Sequence, residues 1–134
     1  MSSSVKSWMP TKGLAPKYHK LVVCMNSGIS FFTCKHGLLE KKVVVGKRER
    51  LLLGALIETP GSAISNEELM QKVWPGRPVS GNALAVKVHN LRHILRGVGR
   101  EQDIQRLTNN GYRFKHEDSK SGYRGSEIVI YANR

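Results

Sequence analysis

The sequence predicts an α+β fold: an N-terminal antiparallel sheet, three helices and a C-terminal β-hairpin. Apolar, β-prone runs crowd around turn residues before Gly46. Three helical patterns follow between Gly46 and Gly97. Asn109-Asn110-Gly111 then separates two short β-prone runs. The 134 residues make room for one compact domain with some tail.

Residues 1–18 hold Ser, Pro, Gly and Lys without periodicity and read as a flexible basic arm. Lys20–Met25 and Ile29–Cys34 flank Asn26-Ser27-Gly28, the pattern of a hairpin, and Leu38–Val45 adds one or two short strands. The first helix is expected from Gly46 or Lys47 to Glu58. Its dense Leu, Ala and Ile content suits packing on more than one side. Thr59-Pro60-Gly61 stops it.

The second helix starts with a capping box, Ser65 and Glu68, stapled by Ile64 and Leu69, and ends at Trp74 before Pro75-Gly76. The third is expected to be capped by Ser80 and stapled by Val79 and Leu84. Leu84, Val88, Leu91 and Leu95 form one apolar stripe, and Gly97 is the expected stop. The opposite face carries Asn82, Val86, His89, Asn90 and His93, flanked by Lys87, Arg92 and Arg96. It reads either as an ordinary solvated face or as a face that enters a groove. Ile104–Thr108 and Tyr112–Lys115 close the domain as a hairpin, since Asn-Gly tolerates positive φ. The domain is placed at 19–116. Residues 117–134 form a polar tail in which Glu127–Ala132 adds an edge strand or docks elsewhere.

Twenty-two Lys and Arg face ten Asp and Glu, a formal charge of +12 that calls for a polyanionic partner. The excess is uneven. Lys47–Pro75 is neutral, whereas Arg77–Lys115 holds eight basic side chains against two acidic ones. A neutral scaffold followed by a basic half reads either as the footprint of a groove-binding surface or as an ordinary solvated surface with an extreme pI. The apolar runs are too short to span a bilayer, and the N-terminus has no signal core, so the location is read as cytoplasmic and no membrane partner is expected. Cys24 and Cys34 read as free thiols. His89 and His93 lie at i, i+4 without a third ligand, so neither a metal nor a cofactor is expected. No phosphate loop, nucleophile signature or spaced carboxylate pair points to an enzyme.

The stretch LLLGALIETPGSAISNEELMQKVWPGRPVSGNALAVKVHNLRHIL, followed by IQRLTNNGYRF, closely resembles the OmpR/PhoB-type (ToxR-like) winged helix-turn-helix DNA-binding domain over roughly residues 42–115. The marks are Ile-Ser-x-Glu-Glu-Leu, Val73-Trp74, Val79-Ser80, Val88-x-x-Leu91-Arg92 and Gly111-Tyr112-Arg113-Phe114. The resemblance implies a four-stranded N-terminal sheet, a third helix in the major groove and a wing at the adjacent minor groove. It implies head-to-tail pairs on tandem half-sites. It also implies an α-helix-connecting loop that touches RNA polymerase or another regulator, here Trp74, Gly76, Arg77 and Pro78. The chain departs from the family's usual pattern at Ala85, His89 and Asn90, and in the wing at Arg106-Leu107-Thr108. No receiver domain precedes the module in this sequence.

On that reading the partner is double-stranded DNA. Asn90 pairs with adenine, His89 donates to a base or phosphate, and Val86 touches a thymine methyl. Lys87, Arg92 and Arg96, with His93 beside them, edge the face where phosphates lie. Ser80 and Asn82 sit at the helix start, a phosphate seat. Arg106, Thr108 and Arg113 of the wing reach the backbone or the minor groove. Five neutralised phosphates would give a salt slope of about −4.5. Two rival readings stand beside this one: a winged-helix module that binds another regulator, and a nonspecific nucleoid-type or RNA-binding protein.

Overall fold

The computed structural model describes residues 17–36, 38–108, 110–115 and 120–132. Apart from Lys17 and Tyr18, the expected N-terminal arm lies outside them. Tyr18 belongs to the fold: its N–H donates to Gly97 O at 2.9 Å, and its ring stacks on Phe32 at 4.6 Å.

The chain begins with β1 (Lys20–Cys24), β2 (Ile29–Thr33) and β3 (Leu39–Val44), joined as an antiparallel meander. The resemblance implies four strands at this end, but among the described residues the structure has three. The others come from the far end of the chain. The sheet has five strands in the order β3-β2-β1-β8-β7, with β7 at Gly122–Arg124 and β8 at Glu127–Tyr131. The Glu127–Ala132 run is therefore not an edge strand. β8 is interior, paired with β1 through Lys20↔Tyr131 to Cys24↔Glu127 and with β7 on its other side. The reason is its composition: Ile128 and Ile130 are fully buried and Val129 nearly so, an apolar load on both faces that suits an interior strand.

Helix α1 (Lys47–Glu58) has Leu52, Leu53, Ala55, Leu56 and Ile57 buried, the many-sided packing its composition predicts. Helix α2 (Asn66–Val73) begins as expected: Ser65 Oγ accepts from Glu68 N at 3.1 Å, which satisfies one free helix-terminal donor. Trp74 closes it. Helix α3 (Gly81–Leu95) has Ser80 at its N-cap, but the Ser80 side chain makes no cap hydrogen bond. Its stripe of Leu84, Val88, Leu91 and Leu95 is buried to 2% exposure or less. The α-helix ends at Leu95, just short of the expected stop at Gly97; a 3-10 turn, Arg96–Val98, follows it and closes where Gly99 takes φ +69°.

A second 3-10 turn, Glu101–Asp103, leads into β5 (Ile104–Leu107) and β6 (Gly111–Phe114). With β4 (Ile64–Ser65) they make a three-stranded sheet in the order β4-β6-β5. Asn110 takes φ +58°, the left-handed conformation the turn requires. Arg100 and Asp103 form a buried pair at 2.7 Å, and Arg100 Nε donates to Tyr131 O at 2.9 Å. That bond ties the helical half to β8. Cys24 and Cys34 are free thiols.

Candidate nucleic-acid interface

Burying one stripe of α3 decides which side chains it presents. Asn82, Val86, His89, His93 and Arg96 are exposed, Val86 at 45%. His89, Arg92, His93, Arg96, Glu101 and Gln102 line one concavity.

Three of the expected contact residues are instead half-buried and bonded inside the protein. Asn90 Nδ2 donates to Glu49 Oε2 at 2.9 Å. Lys87 Nζ lies 3.4 Å from the same oxygen. Arg92 gives its Nε and Nη2 to Ile104 O at 3.2 and 2.5 Å, joining α3 to the first wing strand. Helical periodicity puts these three on the solvent side because it shows only angle. It does not show that α1 and β5 overhang the flanks of the face.

Glu49 was not among the residues singled out from sequence. It is 8% exposed, in the first turn of α1. Burial pushes its carboxyl up. The hydrogen bond from Asn90, the backbone N–H of Glu49 and the Lys87 ammonium outweigh burial, so the group sits below the ordinary carboxylate range. The available signal was its place three residues after the Gly46 cap, where a Glu folds back toward the helix start.

The wing presents Arg106, Thr108 and Arg113, all exposed. Arg113 Nε donates to Gln105 Oε1 at 2.7 Å, a bond between directly opposite residues of β5 and β6. Gly111 is required here by close approach. A Cβ at that position would stand 2.7 Å from Ile64 O, inside the β4–β6 pairing. In the loop between α2 and α3, Trp74 is 8% exposed, a plug beneath the loop. Gly76, Arg77, Pro78 and Ser80 face solvent, with Gly76 at φ +71°.

Several of the basic side chains are engaged within the protein. Arg48 holds Val73 O, Arg50 holds Met25 O and Val45 O, and Arg100 holds Asp103 and Tyr131 O. Among the described residues, no group of three or more His, Cys, Asp or Glu is placed to hold a metal ion. No helix among them is long and apolar enough to cross a membrane.

Residues 40–114 match the family described as transcriptional regulatory protein, C terminal. The chain belongs to this family. Protein PsaE of Yersinia pseudotuberculosis serotype I is 32% identical over 78 residues, 58% of this chain and 36% of that protein. Transcriptional regulator HilA of Salmonella typhimurium is 33% identical over 75 residues, 56% of this chain and 14% of that protein. The chain thus spans little more than a third of the first relative's length and far less of the second's. The DNA-binding domain of E. coli CadC superposes with a TM-score of 0.56 at 16% identity, over 85% of this chain and 98% of that one. The shared fold is the winged helix-turn-helix, with α2 and α3 as its helix pair and β5–β6 as its wing.

Proposed function

We propose that this member of the family regulates transcription by reading double-stranded DNA, with α3 in the major groove and the β5–β6 wing at the minor groove. The observation that carries the reading is the division of α3. One stripe is fully buried, and the other side offers Asn82, Val86, His89, His93 and Arg96 next to a wing bearing Arg106, Thr108 and Arg113. HilA, a transcriptional regulator, and the DNA-binding domain of CadC support it.

In this mechanism Val86 meets a thymine methyl and His89 donates to a base edge. Arg96, Arg106 and Arg113 neutralise phosphates, and Ser80 with Asn82 seats a phosphate at the start of α3. Gly76, Arg77 and Pro78 form the contact loop for RNA polymerase or another regulator. Two copies bind head to tail on half-sites spaced by about one helical turn.

The test compares affinity for a selected duplex with affinity for a scrambled duplex at about 150 mM salt, close to physiological screening. Sequence-specific reading predicts a preference of about 10³-fold or more. Equal affinities would replace it with nonspecific binding. Absence of duplex binding together with capture of a defined regulator would replace it with the protein-interaction module.

A further inference from the structure

A carboxylate on α1 reaches across to the flank of α3. Glu49 Oε2 receives Asn90 Nδ2 at 2.9 Å and faces Lys87 Nζ at 3.4 Å. The carboxylate side chain is 10% exposed, and that of Lys87 28%. Gly46 lies against the other oxygen: a Cβ there would stand 2.6 Å from Glu49 Oε1, so the carboxylate is folded onto the start of α1. Little solvent reaches Glu49, so the Asn90 amide, its own backbone N–H and the Lys87 ammonium are what stabilise its charge. A buried carboxylate stripped of partners is costly, which favours keeping both partners on it.

We infer that Glu49 is a specificity-determining positioning residue: it withholds the Asn90 amide and the Lys87 ammonium from DNA and leaves the reading to Asn82, Val86, His89 and His93. The inference rests on the DNA-reading function proposed above. Asn90 carries the amide chemistry that pairs bidentately with adenine, and Lys87 carries a phosphate-seeking charge. Both lie on the flank of the exposed face, one carboxylate away from joining it.

Two replacements separate the two withheld groups. Glu49→Gln keeps an acceptor for Asn90 but removes the charge that holds Lys87. Glu49→Met removes both. The salt dependence of duplex affinity and the motif selected from a random pool are measured for each. Glu49→Gln is expected to steepen the slope of log affinity against log salt by about 0.9, one added phosphate contact, with the motif unchanged. Glu49→Met is expected to steepen it equally and to add a preference for an A·T pair at one further position. Adding Lys87→Gln to Glu49→Gln returns the slope to the wild-type value.

A structural role alone would lower the folded fraction and leave slope and motif where they were. Wild-type slope and motif in both variants would overturn the inference while leaving the DNA-reading function standing. If the Glu49 variants fail to fold, Lys87→Gln alone decides. An unchanged slope supports the withheld lysine, and a slope shallower by about 0.9 places Lys87 on a phosphate already and overturns it. Failure of the wild-type protein to bind any duplex would overturn the function itself, and this inference with it.

Discussion

Asn90 on α3 donates its amide to the Glu49 carboxylate on α1 at 2.9 Å, so the helix that presents the groove face is pinned to the core helix beside it. The Glu49 carboxyl sits below the ordinary carboxylate range. A depressed folded-state value means that the stabilisation is complete above the unfolded-state value, about 4.3, and is lost as pH falls through the folded one. Glu49→Gln is expected to cost about 1 kcal/mol at pH 7. In urea denaturation the gap from wild type should close as pH is lowered below about 4. A gap independent of pH would mean that the ionised carboxylate is not what Asn90 and Lys87 stabilise.

Arg92 and Arg96 are expected to behave differently although both lie on the same flank of α3. Arg92 is occupied by Ile104 O, whereas Arg96 is exposed. Arg96→Gln should make the salt slope shallower by about 0.9 and weaken all duplexes alike. Arg92→Gln should instead lower folding stability by about 1 kcal/mol, with the slope little changed. Thermal melts paired with binding titrations over a range of salt distinguish the two.

Much of this fold is legible in the sequence. The Ser65–Glu68 cap, the Leu84-Val88-Leu91-Leu95 stripe and the Asn110-Gly111 turn are local signals, and the structure realises each within a residue or two. What was not legible depends on contacts distant in the chain. Nothing in EIVIY says that it will pair with Lys20–Cys24 more than a hundred residues earlier. Nothing local to α3 says that Glu49, 41 residues before Asn90, will take its amide. The outward residues of α3 could be read from periodicity. Which of them are left free could not.

Gly111 gives a steric prediction. A Cβ there meets the backbone oxygen of Ile64 at 2.7 Å, and a backbone carbonyl in a strand pair has little room to retreat. Gly111→Ala is expected to destabilise the protein by about 1–3 kcal/mol, measured as a lower Tm. A Tm at or above wild type would show that β4 and the wing are not held in this register.

The interior position of β8 makes the C-terminal segment part of the core. Ile130 is fully buried opposite Leu21. Ile130→Ala is expected to cost about 2–5 kcal/mol, a core-cavity value, in chemical denaturation. A loss below 0.5 kcal/mol, roughly the range of surface substitutions, would mean that the strand is a dispensable tail.

The most direct test of DNA reading by the exposed face of α3 is selection of bound duplexes from a random pool. It would be run with the wild-type protein and with a variant carrying Val86→Ala and His89→Ala, both at exposed positions outside the core. The expected result is a short motif for the wild type, repeated at about one helical turn, and loss of preference at the positions those two side chains contact. The same motif from both proteins, or none from either, would contradict it.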